Sequence, residues 1–299
     1  MEDESMHDNP DKCMDCGNAD GQAVGCCDTR YPIMLVHGTL VNDRRKTRCW
    51  GRIPGVLAAR GARICFGGQD AWGSIRGNAR QLCKSVDNAL QTYGAEKVNI
   101  IAHSKGGLDA RAMTALPGYA GKIASITTIS TPHHGIKWVS GVWPFTAWLA
   151  AIVTWPFFPL WLLTGDKRPN LFMLLKGMTV RECQNFNSET PDVKGIRYQS
   201  YAGKMPKGSR NRIFYLSHVA NNRFDGDNDG LIPVESAKWG TFCGTFTGGG
   251  KRGISHADEV DYFKRDYASG ELVGDDQKEY ADITQLYVRI ASGLKGQGL

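Results

Sequence analysis

The chain has 299 residues, 41% of them apolar and 22% charged, and a net charge of +6. Such a composition describes a globular protein with a substantial core and excludes a disordered or fibrous one. The longest basic cluster, Arg44-Arg45-Lys46, is too short for a nucleic-acid-binding stripe, so no nucleic acid is expected as a partner.

The first thirty residues differ in kind from the rest. Met1 to Lys12 is acidic and polar with no apolar stretch, so it does not read as a secretory signal. Export after removal of a leader and retention inside the cell both stay open. Cys13-x-x-Cys16 and the pair Cys26-Cys27 follow. Zinc sites pair separated C-x-x-C units, and adjacent cysteines are not such a unit, so residues 1–30 read as a cysteine-containing tail. Nine cysteines is an odd number, which leaves at least one thiol unpaired in a monomer.

Tyr31 to Val36 is an unbroken apolar run ending at His37-Gly38-Thr39, as in a strand covered on both faces. Pro54 and Gly61 bracket a short helix, and Arg63 to Phe66 reads as a strand. Leu82, Val86 and Leu90 recur every four residues before Gly94, which predicts an amphipathic helix with a glycine stop. Val98 to His103 is a second buried strand, followed by Ser104 and by a helix expected from about Leu108. Ile123 to Ile129 is a third such strand. This strand–helix alternation predicts a doubly wound sheet.

Between Ile136 and Met178 the alternation stops, and tryptophan and phenylalanine crowd the segment. Trp143 to Leu163 carries no charge, long enough to raise a transmembrane reading, but Pro144, Pro156 and Pro159 interrupt it. An apolar surface element covering something greasy fits better. Gly195 to Gly203 reads as a strand, Phe224 to Gly230 as an acidic turn, and Cys243 to Gly253 as a glycine-rich connection. A terminal helix is expected from Asp275 to Leu294, with Ile283, Leu286, Tyr287 and Ile290 on one face.

Val98 to Gly107 is the stretch with chemistry in it. A buried strand running into Ser104, with two glycines just after, is the pattern of a nucleophile held on a tight strand-to-helix turn. Ala102 stands where glycine is usual. A serine hydroxyl needs a histidine to take its proton, and the histidine needs a buried carboxylate. The chain order serine, acid, histidine is met by Ser104, Asp229 and His256. Asp225 and Asp227 compete for the acid, with Asp227 the fallback. His218 precedes the acid turn and breaks the order, and His103, His133 and His134 read as structural or loop residues. Backbone N–H groups of Lys105 and Thr39 would form an oxyanion hole.

With Tyr31 to Gly38, Ala102 to Gly107, Thr128 to Gly135, Asn228 to Pro233 and Ser255 to Glu259 in one order, the chain resembles the bacterial true lipases. These are triacylglycerol hydrolases of the α/β-hydrolase superfamily. The resemblance implies one hydrolase domain over residues 31–299, with a mostly parallel sheet flanked by helices. A Trp-rich helical lid at about 136–180 would meet a lipid–water interface through the 138–163 aromatic segment. It implies Ser104, Asp229 and His256 as the triad, Thr39 and Lys105 as oxyanion donors, and a lipid or ester substrate with no cofactor in the chemistry. Some relatives bind structural calcium through an aspartate two residues after the histidine, a position held here by Asp258. A short-chain carboxylesterase, a phospholipase and a catalytically silent membrane- or partner-binding module are the rival readings.

Overall fold

The computed structural model describes residues 25–39, 49–141, 171–209, 211–248, 251–263, 272–274, 279–280 and 282–299. Their strands form one eight-stranded sheet, in the order β2-β1-β3-β4-β5-β6-β7-β8. The strands are β1 (Ile33–Val36), β2 (Ile64–Phe66), β3 (Val98–His103), β4 (Ile123–Ile129), β5 (Arg197–Lys204), β6 (Thr241–Gly248), β7 (Leu272–Gly274) and β8 (Glu279–Tyr280). The first six lie parallel, and β7 and β8 extend the sheet antiparallel. Helices on both faces complete the α/β-hydrolase fold.

The unbroken apolar runs follow from that double cover. Ile33 and Leu35 pack on one face with Ile101, Ile129 and the last helix, α8 (Ile283–Gly296). Met34 and Val36 pack on the other with Ile100, Ala102 and α2 (Ile75–Tyr93). Neither set could be polar without leaving one face unburied. Helix α2 forms as its sequence dictates: the Ser74 side chain accepts from the Gly77 N–H, and Gly94 closes the end in the left-handed region at φ 59°. Helix α1 (Ile53–Ala58) carries Pro54 in its first turn. Helix α3 (Lys105–Thr114) starts directly after the serine, three residues earlier than expected, because the turn itself supplies its first helical residue.

Two expectations are corrected. Most of the span 243–253 expected as a connection is strand: β6 runs to Gly248 and pairs with β5. Its glycines hid the strand, because they carry no apolar signal for the pairing that holds them. The terminal helix begins only at Ile283, where the Asp282 side chain accepts from the Thr284 N–H, and residues expected to be helical lie in β8 instead. Helix α4 (Leu171–Lys176) lies within the span expected as a helical lid, and α5 (Val180–Glu189), α6 (Tyr215–Phe224) and α7 (Val234–Ala237) lie in stretches for which the sequence predicts no element.

Residues 25–30 are strapped to the C-terminus, with Arg30 N–H donating to Leu299 O at 2.8 Å and Cys27 buried in the core. Cys26 and Cys27 place their thiols 3.7 Å apart. Cys13, Cys16 and the rest of the tail lie outside the described residues, as does 142–170, the bulk of the segment expected as a lid. Among the described residues no helix is long and apolar enough to cross a membrane. Arg111 ties α3 to α5: its guanidinium lies 3.6 Å over the Trp239 ring and donates to Asn187 Oδ1 and Thr190 O. Burial lowers its pKa to about 10, so it stays charged at neutral pH.

Close approach of α3 to β1 leaves no room beside Gly106, where a methyl group would run into the carbonyl oxygens of His37 and Val36. Gly106→Ala is expected to lower stability by about 1–3 kcal/mol in urea denaturation. Gly121→Ala, at a site with nothing within 4 Å, should change it by less than about 0.5 kcal/mol. Equal values for the two would contradict this packing.

Candidate active site

The carboxyl ends of β1, β3, β4, β5 and β6 converge on one edge of the sheet, where ligands of open α/β sheets bind. Strand β3 enters Ser104 at φ 55° and ψ −135°, a conformation that a residue with a side chain adopts only under constraint. The constraint is visible. Ser104 N–H donates to Ile129 O at 2.9 Å, and Ser104 O accepts from the Thr131 hydroxyl at 2.7 Å and the Gly107 N–H at 3.1 Å. Small neighbours are obligatory: a methyl on Gly38 would lie 2.6 Å from Ser104 Cβ, and one on Gly107 would meet the Thr131 hydroxyl. Ala102 is tolerated because its methyl faces the α2–α3 side of the sheet instead of the turn.

The loop after β1 is fixed from beneath. The buried His37 ring spans the carbonyls of Gly38 and Gln69, at 2.7 and 3.0 Å, and Gln69 Nε2 donates back to His37 O at 2.7 Å. Thr39 follows, its Oγ1 buried with no hydrogen-bond partner among the described residues. Lys105 turns its ammonium inward, 2.6 and 2.8 Å from the Asp109 carboxylate oxygens, and Asn78 donates to the same carboxylate. Both members of the pair are buried. Burial pushes the Asp109 carboxyl up and the Lys105 charge opposes it. What Lys105 presents at the turn is therefore its backbone N–H.

Asp229 is fully buried, and its Oδ2 lies 2.6 Å from His256 Nδ1. Its Oδ1 accepts from the N–H groups of Leu231 and Ile232 at 2.8 and 2.7 Å. Burial pushes this carboxyl up, but the attraction of His256 and those hydrogen bonds outweigh it and hold it below the usual range. The main chain binds the two as well, His256 N–H donating to Asp229 O at 2.9 Å. The competing acids point elsewhere: Asp225 accepts from the Lys137 N–H, and Asp227 lies 3.8 Å from the Lys204 ammonium. His218 is bonded to Asn228 Oδ1 and Pro206 O, and His133 to Thr128 and Arg111 in the core.

Two residues here escaped the sequence reading. His103 lies against His256, ring centroids 4.3 Å apart and planes tilted by 38°. Its Nε2 lies 3.0 Å from Glu259 Oε2, and Glu259 Oε1 accepts from the Ser130 hydroxyl at 2.8 Å. Burial holds His103 well below the usual histidine range, and burial with the neighbouring Asp229 charge holds Glu259 well above the usual carboxyl range. A neutral imidazole facing a protonated acid follows, with Glu259 donating to Nε2, an assignment made from the network. The spacing of Glu259 three residues after His256 was the available signal. The side chains of Ser104 and His256 share no direct hydrogen bond among the described residues.

Asp258 does not fit calcium. Its Oδ2 accepts from the Ser255 N–H at 2.9 Å and the Ser255 hydroxyl at 2.6 Å, and the Arg252 guanidinium stands 3.9 Å away. A hard dication needs several oxygens and no adjacent cation. Among the described residues the one cluster of three candidate metal ligands is His103, His256 and Glu259, of which His103 bonds Glu259 and His256 bonds Asp229.

Residues 74–139 match the family model of a PGAP1-like alpha/beta domain. The chain is 27% identical to the triacylglycerol lipase of Pseudomonas fragi over 91% of this chain and 98% of that one. It is 28% identical to the triacylglycerol lipase of Vibrio cholerae, over 92% and 91%. A triacylglycerol lipase of Pseudarthrobacter phenanthrenivorans is 36% identical, but over only 38% of this chain and 37% of its own length. In fold, the mature lipase of Bacillus licheniformis superposes with a TM-score of 0.58 at 20% identity, covering 78% of this chain and 87% of that one. A metagenomic carboxyl esterase gives 0.65 at 14%, over 92% and 78%.

The buried histidines set a pH dependence. His103 and His133 both sit well below their ordinary value of 6.5. The stability they contribute is therefore present above pH 6.5 and lost as pH falls, at up to about 1.4 kcal/mol per unit for each. Glu259, raised, acts in the opposite direction above its ordinary value of 4.5. Thermal unfolding should show Tm falling from pH 7 to pH 5, and falling more steeply in Glu259→Gln. A flat or rising wild-type Tm on acidification would contradict the assignment.

Proposed function

The chain is a lipase-like member of the α/β-hydrolase superfamily, and from that premise we propose that it hydrolyses carboxylic esters, acylglycerols in particular, with Ser104 as nucleophile. The observation that carries this reading is the buried Asp229 carboxylate 2.6 Å from His256 Nδ1, on the same sheet edge as the strained Ser104 turn. Support for acylglycerols comes from the curated relatives aligned along nearly their whole length, both triacylglycerol lipases.

Ser104 Oγ attacks the acyl carbonyl while His256 Nε2 takes its proton. Asp229 fixes the tautomer that leaves Nε2 free to accept and stabilises the imidazolium. The backbone N–H groups of Thr39 and Lys105 take the developing oxyanion, each contributing about 10²–10³ in rate by analogy with measured oxyanion donors. Collapse expels the alcohol with the proton from His256. Water then attacks the acyl-serine, giving its proton to the same nitrogen, and collapse breaks the bond to Ser104 Oγ, which takes that proton back as the carboxylic acid leaves. The steps balance with these side chains and water alone. Glu259 and His103 act behind His256, holding its ring in place.

Ser104→Ala should lower kcat on p-nitrophenyl butyrate by about 10⁴-fold or more with an unchanged urea midpoint. On p-nitrophenyl esters of increasing acyl length, the wild-type rate should rise toward long chains. Retained activity in Ser104→Ala would remove the mechanism, and a maximum at acetate would move the substrate to short-chain esters.

A further inference from the structure

The segment that carries His256 is short, and its far end is held by a residue from a distant part of the chain. Ser255 to Tyr262 runs in consecutive turns. Asp258 N–H donates to Ser255 O at 2.8 Å, Asp261 N–H to Asp258 O at 3.0 Å, and Tyr262 N–H to Ala257 O at 3.1 Å. A shift at Asp261 is therefore passed back to His256. Asp261 stands in the left-handed region at φ 54°, and its side chain is 1% exposed. A buried carboxylate on such a backbone stays in place only if its surroundings grip it.

Arg52 supplies the grip. Its Nε and Nη2 donate to Asp261 Oδ2 and Oδ1, each at 2.8 Å, and its backbone N–H donates to Oδ2 at 2.7 Å. Nη1 donates to Oδ2 of Asp282, the residue that caps α8, at 3.0 Å. Gly51 makes room for the approach, since a methyl group there would lie 2.2 Å from Asp261 O. Trp50 and Ile53, both buried, root Arg52 in the core.

We propose that Arg52 is a positioning residue for His256, acting through Asp261. A guanidinium bound by two parallel hydrogen bonds fixes orientation as well as distance. The segment is then pegged at both ends, by His256 N–H on Asp229 O and by Asp261 on Arg52. With the Asp258 carboxylate closed on Ser255, side chains alone hold the segment and calcium has no part in it. Loss of the guanidinium leaves the Asp261 charge buried and uncompensated, so the segment shifts to hydrate it and His256 shifts too. Replacing both charges by amides keeps the shape and removes that drive.

The test compares the full chain with Arg52→Gln, Arg52→Lys, and Arg52→Gln combined with Asp261→Asn. It uses kinetics on p-nitrophenyl butyrate and hydrogen–deuterium exchange. Arg52→Gln should lower kcat about 10–100-fold with KM within about threefold, and speed exchange in residues 255–262 while α2 stays protected. Arg52→Lys keeps the charge but not the fork and should lose about 3–10-fold in kcat. The double variant should recover to within about threefold of the wild type, and EDTA should leave the wild-type rate unchanged. If Arg52→Gln does not fold, Arg52→Lys against the double variant decides in the same way. Unchanged kcat in the single variants, no recovery in the double variant, equal loosening of α2, or a wild-type rate lost in EDTA overturns the proposal. The kinetic readout rests on the ester-hydrolase reading, and the exchange readout does not. If exchange behaves as expected while the wild type hydrolyses no ester, the clamp stands and that reading fails.

Discussion

The structure depends on how tightly the backbone is crowded at Ser104. A serine at φ 55° sits between the end of β1 and Thr131, and side chains on Gly38 or Gly107 would push it out of place. Strain at one residue persists only where its surroundings over-determine it. Here the surroundings are the parallel sheet itself, whose strands β1, β3 and β4 deliver His37-Gly38, Ser104 and Ser130 to one edge. Ser130 repeats the device at φ 45°, and its hydroxyl meets Glu259.

Around that turn the charges are arranged in two states of compensation. Asp229 is buried as an anion because two backbone N–H groups and His256 satisfy it. Glu259, equally buried and close to Asp229, takes the other solution and keeps its proton. Two carboxyl groups in one buried site are thus pushed apart in pKa, with Asp229 the one that faces His256 Nδ1. Lys105 and Asp109 form a third compensated unit beneath the turn, which anchors the first residue of α3.

Much of this was legible in the residues, and the failures have physical causes. The strands β1, β3 and β4 were readable because burial on both faces demands continuous apolar runs, and α2 because its cap and glycine stop flank a clean stripe. The approach of Asp229 to His256 followed from chain order. Strand β6 was missed because glycine and threonine carry little apolar signal, and helix α6 because polar residues fill the face it buries, so no apolar inward stripe marks it. His103 and Glu259 were invisible as partners, since 156 positions separate them and only the fold brings them to 3.0 Å. Asp258 shared a position with a known calcium ligand, yet its contacts with Ser255 give it a local turn to hold.

The account stands or falls on Ser104. Treating the full chain with a fluorophosphonate and mapping the adduct by mass spectrometry tests it most directly. The account predicts one covalent phosphonyl group, on Ser104, formed in step with loss of ester hydrolysis and blocked by prior change of His256 to alanine. An unmodified Ser104, or an adduct on another residue that accounts for the lost activity, would contradict it.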